Sequence, residues 1–379
     1  MEQFKDKLEL PNINADGVEE TDDSSKDAIE NPFDPTKIDI IPKQLSIDIL
    51  LKRIKNNRIN LKTEFQREAD LWKAKAQSRL IESLLVRIPL PAFYFDGSDD
   101  SNWLVVDGLQ RLSALKNFVI NKTLKLTELE YLKEYSDKNI GFDELPPYLQ
   151  SRIEETQITA HIINPGTPTN VKYNIFKRIN TGGLVLSAQE IRHALNQGIP
   201  ADFVKELAEL PEFVKATAGA VKPYRMENRD FITRFIGFYF DFMNYKPDLD
   251  TFLNEAMNKL KTISGLDRQK IKDDFIKSMN LAYQIFENDA FRKRYNKNDS
   301  RKPVNKAVFD TIAVNFSKLT EQEIQMLLNQ KEIFKDKFIE LMNDIEFNRA
   351  ISSGTGDIWS VQTRFIKINK LIKSTIYAE

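Results

Sequence analysis

The sequence predicts an α+β protein, with a mixed domain at residues 37–200 followed by an all-helical domain at residues 201–379. Short apolar runs rich in β-branched residues favour strands, and they occur in the first part at 104–106 and 158–163. After Pro200 the apolar residues recur at helical spacing instead. Residues 1–36 hold eleven acids and three lysines, so we expect a disordered acidic arm there.

The first elements follow from apolar spacing and capping residues. We expect a strand at 38–41, a helix capped by Ser46, an amphipathic helix at 73–86 and a strand at 92–95. The apolar faces of the two helices are Ile47, Leu50, Leu51 and Ile54 in the first and Leu80, Ile81, Leu84 and Leu85 in the second. A polar turn separates 92–95 from residues 103–106, which predicts a hairpin.

The later elements complete this pattern. Residues 158–163 are a predicted strand, and 176–180 lie on a predicted helix. Ser187 with Glu190 three residues later has the pattern of a capping box, so a helix should begin there. Helical periodicity in the second half covers 203–210, 227–245, 251–263, 270–286, 305–319, 321–343 and 360–377.

The candidate functional site is the turn between strand 104–106 and the helix after it. Asp107 and Gly108 form a turn pair, and Gln110 and Arg111 stand at the helix start. A helix start offers backbone N–H groups and a partial positive charge, which favour phosphate. Gly108 permits close backbone approach, and Arg111 falls off the apolar face of the helix, so we expect its guanidinium to face a cleft. The alternative is an ordinary strand–helix junction capped by Asp107.

A family resemblance supports a functional interpretation of this turn. The pentapeptide Asp107-Gly108-Leu109-Gln110-Arg111 resembles the DGQQR motif of the GmrSD restriction-enzyme N-terminal family, which is related to ParB and sulfiredoxin. Two further blocks resemble that family in order, namely Phe65-Gln66-Arg67 with Trp72, 78–85 and 88–91 upstream, and Phe176-Lys177-Arg178-Ile179-Asn180-Thr181 with 186–192 downstream. Leu109 departs from the motif, which usually has glutamine there, so only the backbone N–H of that residue is retained.

The resemblance implies a ParB/sulfiredoxin-like fold and NTP binding and hydrolysis coupled to restriction of foreign DNA. Asp107, Gln110 and Arg111 would then be catalytic, with Asp107 acting as a base or as a ligand of Mg²⁺. The expected nucleotide-binding residues are Gln66, Arg67, Gly108, Leu109, Arg178, Asn180 and Thr181. The residues alone indicate only a phosphate site at a helix start, and they leave open that Arg67 and Arg111 form buried salt bridges.

A basic run in the helical half provides candidate DNA contacts. Its members are Arg292, Lys293, Arg294, Lys297, Arg301 and Lys302, interrupted by one acid, Asp299. Such side chains bind backbone phosphates, although a solvated loop has the same composition. Residues 1–36 carry a net charge of −8, so the remainder carries +7 of the total of −1, which suits a nucleotide or DNA partner.

Missing residue types exclude several kinds of function. There is no cysteine, which excludes disulfides and cysteine-ligated zinc, and the two histidines, His161 and His193, form no HNH-like pattern. The sequence also contains no apolar run of 18 residues. We therefore expect a cytoplasmic protein without a membrane span or a metal cluster, which does not cut DNA by an HNH mechanism. DNA is the expected partner, and a separate nuclease chain is an open alternative as a further partner. The alternatives are a non-enzymatic DNA-binding or scaffold subunit and a metal-dependent DNA nickase.

Overall fold

The computed structural model describes residues 17–19, 34–61, 72–179 and 186–377. The described residues form two compact units, one of residues 34–195 and the other of residues 196–377 together with 17–19. Each unit is described by itself below.

The first unit is built on a five-stranded mixed sheet. Its strands are β1 (Ile40–Ser46), β2 (Ile59–Asn60), β3 (Phe93–Asp96), β4 (Trp103–Asp107) and β5 (Gln157–Ile163), in the spatial order β1-β5-β3-β4-β2. β3 and β4 form the expected antiparallel hairpin, β1 is antiparallel to β5, and the pairs β3–β5 and β2–β4 are parallel. The α+β prediction is therefore confirmed, although the two-residue β2 was not expected.

Helices cover both faces of this sheet. They are α1 (Ile47–Lys55), α2 (Ala74–Leu85), α3 (Leu109–Leu115), α4 (Lys133–Asp137), α5 (Pro147–Glu155), α6 (Thr169–Ile179) and α7 (Ala188–Leu195). Alternate strand residues point to opposite faces, so Val105 packs with α1, α2, α3 and α5, whereas Val106 packs with α6 and α7. The Ser46 cap and the Ser187–Glu190 capping box are both present, which confirms these two helix starts.

The second unit is helical, as predicted. Its helices are α8 (Ile199–Ala208), α9 (Pro211–Ala216), α10 (Glu227–Asp241), α11 (Leu249–Thr262), α12 (Gly265–Phe286), α13 (Lys306–Ser317), α14 (Glu321–Asn329), α15 (Lys331–Met342), α16 (Ile345–Ala350) and α17 (Ile358–Ile376). The single helix predicted at 321–343 is interrupted at Gln330. The centre of the unit is α13, whose Asp310 is fully buried and pairs with Arg234 at 2.6 Å and Arg364 at 3.4 Å.

Candidate phosphate-binding turn

The turn between β4 and α3 has the predicted strand–turn–helix geometry. β4 ends at Asp107, α3 begins at Leu109, and Gly108 between them has φ +103°. A Cβ on this glycine would lie 2.4 Å from Cδ1 of Phe93. Position 108 therefore requires glycine both for its backbone conformation and for space. The sequence suggested that a ligand could approach the backbone here, but the Phe93 ring of β3 occupies the space next to this glycine.

The Arg111 side chain lies against the sheet, so the expectation that it faces a cleft is wrong. The residue is 9% exposed, and its guanidinium donates to Asp107 Oδ2 at 2.6 Å, to the Ala92 carbonyl at 3.1 Å and to the Pro91 carbonyl. The guanidinium carbon also lies 4.3 Å from the centroid of the Phe93 ring. Position 111 is off the apolar face of α3, but the two residues before β3 supply carbonyl acceptors there, and these hold the side chain.

The electrostatics of this pair agree with a bracing role. Burial lowers the pKa of Arg111 below its ordinary value, and the carboxylate of Asp107 opposes that shift. Arginine stays protonated in proteins, so the pair remains ionic. Arg111 thereby ties the start of α3 to the end of β4 and to the entry of β3. It is a positioning residue for the turn.

The Gln110 side chain links the turn to the start of α2. Its Oε1 accepts the backbone N–H of Trp72 at 3.2 Å, and the Trp72 carbonyl accepts from Gln77 Nε2 at 2.7 Å. Trp72 directly follows 62–71, so the candidates Gln66 and Arg67 lie outside the described residues.

The third motif block also ends close to the turn. Arg178 is exposed near the end of α6, whereas Asn180 and Thr181 lie outside the described residues. Ile179 and Leu186, which flank 180–185, both pack in the apolar cluster of Val106, the residue before Asp107. The convergence of the three blocks stays a prediction, and the flanks of both undescribed segments are compatible with it.

The basic run of the second unit makes contacts within the protein, and its role in DNA binding stays a prediction. Arg292 is 2% exposed and donates to the carbonyls of Asn288, Thr217 and Lys302. Burial lowers the pKa of Arg292, against the opposing effect of Asp289. This side chain cannot reach a DNA phosphate while the loop is folded.

The other members of the run also have contacts within the protein. Lys293 is 8% exposed and donates to Glu19 at 2.7 Å and to Ser352 at 2.8 Å. Arg294 pairs with Asp289, and Lys297 pairs with Asp336. Lys302 lies 5.4 Å from the Tyr295 ring, and Arg301 is half-buried. Lys297 differs from the others described here in that its side chain is largely exposed and pairs with a surface acid.

Sequence reasoning passed over one charged residue with a large structural role, Glu82. It is 2% exposed, and its carboxylate accepts the backbone N–H groups of Glu130, Tyr131 and Leu132 at 2.6–3.0 Å. Burial tends to raise the pKa of Glu82, but these N–H groups and Arg79 together hold it below its ordinary value. An acid within the apolar stripe of α2 was the available sign of this role.

Neither a metal-binding cluster nor a membrane span occurs among the described residues. No group of three or more histidine, aspartate or glutamate residues suited to a metal ion occurs within the described ranges. In the same ranges, no helix combines the length and apolarity needed to cross a membrane. His161 stacks on Tyr94 with centroids 4.7 Å apart, and His193 is buried in α7.

Comparison with known proteins identifies the domain that contains the turn. Residues 47–196 match the family model of the GmrSD restriction endonuclease, N-terminal domain. No curated protein and no solved structure matches the chain. The family match confirms the resemblance inferred from the three motif blocks, all of which fall inside it.

Proposed function

Because residues 47–196 are a GmrSD restriction endonuclease N-terminal domain, we propose that this chain is a nucleotide-binding and NTP-hydrolysing component of a restriction or anti-phage system acting on foreign DNA. The observation that carries the proposal is the braced turn 107–111 inside the matched region. Its glycine, its buried ion pair and its helix start form a preorganised unit.

In this proposal the residues of the turn have different roles. Arg111 holds the turn in shape, and the first backbone N–H groups of α3 face the nucleotide phosphates. Since Arg111 is committed to Asp107 and β3, the cationic contacts to phosphate come from Arg67 and Arg178 instead. Gln66, Asn180 and Thr181 complete the polar wall, and Leu109 contributes its backbone N–H alone.

Hydrolysis requires a positioned water and neutralised phosphate charge. Gln110 lies at the start of α3, where its side chain would orient the water. Asp107, the one carboxylate of the motif, would accept the proton of that water. The side chain of Asp107 is 27% exposed, so it stays accessible beside Arg111. In the alternative role, Asp107 would instead be a protein ligand of bound Mg²⁺, which would supply charge neutralisation.

The test is phosphate release from a panel of NTPs, measured with and without duplex DNA. Turnover by the wild-type chain that Arg67→Ala abolishes supports the proposal. DNA binding without turnover supports the non-enzymatic scaffold instead. The Leu109→Gln variant, which restores the usual family motif, separates these cases further. If only this variant hydrolyses NTP, the domain kept its site and lost turnover through one side chain.

A further inference from the structure

A second cationic feature lies at the opposite end of β4, around the indole of Trp103. The guanidinium carbon of Arg53, in the last turn of α1, lies 3.8 Å from the centroid of the Trp103 ring. Lys43 Nζ, from the exposed middle of β1, lies 5.8 Å from the same ring. The backbone carbonyl of Arg58 accepts the backbone N–H of Trp103 at 2.9 Å, so the backbone of a third, exposed basic residue lies next to that of Trp103. We call Lys43, Arg53, Arg58 and Trp103 the indole patch.

Among the described residues, the cations of the indole patch have no acidic partner. Lys43, Arg53 and Arg58 form no ion pair with any residue that the structure describes, whereas Lys52, next to Arg53 on α1, pairs with Asp48 at 2.7 Å. Nη1 of Arg53 and Nε1 of Trp103 are buried and have no hydrogen-bond partner in the described part of the chain. Stacking on the indole holds the guanidinium in place without a carboxylate, so its charge remains available.

We propose that the indole patch binds the backbone phosphates of duplex DNA. Its cations come from a strand, a helix end and a loop, and Lys43 and Arg58 are exposed. This spread along a surface suits a chain of phosphates better than one enclosed anion. The patch is separate from turn 107–111, because four residues of β4 span about 13 Å. The choice of DNA over other polyanions rests on the proposed function.

A structural alternative predicts a different behaviour. Basic residues in the last turn of a helix also stabilise the helix dipole, and α1 ends with Lys52, Arg53 and Lys55. That role would change stability when Arg53 is replaced and would leave DNA affinity unaffected. Arg53, however, lies over the face of Trp103 on a neighbouring strand, so its position is set by the indole.

The deciding experiment is fluorescence anisotropy of a labelled 20-bp duplex over a range of NaCl concentrations. The variant Lys43→Ala/Arg53→Met/Arg58→Ala keeps an unbranched side chain over the indole and removes three charges. Three lost phosphate contacts reduce the magnitude of the log–log salt slope by about 2.7. Each contact is then worth about eightfold in affinity between 1 M and 0.1 M salt. An unchanged slope would overturn the proposal.

Two control variants make this result specific. Lys52→Ala removes a charge from the same helix, but Asp48 already neutralises that charge. This substitution should therefore change the salt slope by much less than Arg53→Met. If Arg53→Met unfolds the domain, the double variant Lys43→Ala/Arg58→Ala takes its place, because it leaves the stack of Arg53 on Trp103 intact. This double variant should lower the magnitude of the salt slope by about 1.8. Equal effects of Lys52→Ala and Arg53→Met would mean that bulk charge alone is measured, which contradicts the patch.

An independent readout comes from Trp103 itself. The chain has three tryptophans, so Trp72→Phe/Trp359→Phe leaves Trp103 as the only indole emitter. The emission of Trp103 should change as duplex is added and should saturate at the same duplex concentration as the anisotropy signal. An unchanged emission would mean that DNA contacts another part of the protein. Phosphate release from NTP without DNA should be unaffected in the patch variants. DNA binding through the patch without any NTP turnover would refute the proposed function alone.

Discussion

Replacing Arg111 with alanine should destabilise the turn at 107–111, and any effect on ligand binding should follow from that loss of structure. The guanidinium makes three hydrogen bonds, to Asp107 and to the carbonyls of Pro91 and Ala92, and it stacks on Phe93. Its side chain is only 11% exposed. Arg111→Ala leaves these acceptors without donors next to an empty space that the ring of Phe93 cannot fill.

The expected cost follows from those contacts. Hydrogen bonds to a charged group contribute about 1.5–3 kcal/mol, and the cation–π contact adds about 1 kcal/mol. Asp107 is 27% exposed and regains water, which keeps the loss below the about 3–5 kcal/mol of a fully buried broken pair. We expect about 3 kcal/mol in the free energy of unfolding of the first unit. For a unit of this size, that lowers its Tm by roughly 6–12 °C.

Thermal unfolding followed by circular dichroism measures this effect. Arg111→Lys should recover part of the loss, since an ammonium cannot reach all three acceptors in the plane of the guanidinium. A double-mutant cycle with Asp107→Asn and Arg111→Met should give a coupling of about 1–2 kcal/mol. An Arg111→Ala protein with wild-type Tm but weakened nucleotide binding would refute the bracing role and make Arg111 a direct phosphate ligand.

Three further predictions concern Gly108, Glu82 and Lys293, and those at Gly108 and Lys293 have a control substitution. Gly108→Ala should lower the free energy of unfolding, measured with urea, by at least about 2 kcal/mol, because its Cβ would meet an aromatic carbon at 2.4 Å. The control Gly166→Ala, at a glycine with open space around it, should change that free energy by less than about 0.5 kcal/mol. Because the pKa of Glu82 is lowered by folding, its carboxylate stabilises the fold above the unfolded-state pKa near 4.5, and this stabilisation is lost as the pH falls. Glu82→Gln should therefore be less stable than the wild type at pH 7. Between pH 7 and pH 4 the variant should lose less stability than the wild type. Lys293→Ala should lower the Tm of the second unit, whereas Lys297→Ala, at an exposed surface pair, should leave it nearly unchanged.

Local patterns predicted the elements of the fold but not the partners of its charges. The spacing of Leu80, Ile81, Leu84 and Leu85 determines which face of α2 is buried, whatever covers it. β2 escaped prediction because two residues show no periodicity, and it forms only because β4 offers a parallel partner. The break at Gln330 likewise interrupts a continuous helical pattern.

The charged residues show why the candidate site was harder to predict. The periodicity of α3 indicates which residues face its own apolar core, but the two carbonyls that accept from Arg111 lie 19 and 20 residues earlier in the chain. A run of basic residues suggests a solvated surface, yet Lys293 is buried against Glu19, 274 residues away. The uncompensated cations around Trp103 came from separate elements, and only the folded chain brings them together.

The central claim, that turn 107–111 binds nucleotide phosphate, is tested most directly by the backbone N–H of Gly108. The sequence contains three Asp-Gly pairs, at 16–17, 96–97 and 107–108, so labelling aspartate carbonyls with ¹³C and glycine nitrogens with ¹⁵N gives a filtered NMR spectrum of three peaks. Replacing Asp16 or Asp96 deletes one peak each and assigns the third. We predict that adding NTP with Mg²⁺ moves the Gly108 peak and leaves the Gly97 peak in place. A Gly108 peak that stays unmoved at millimolar NTP would contradict the account.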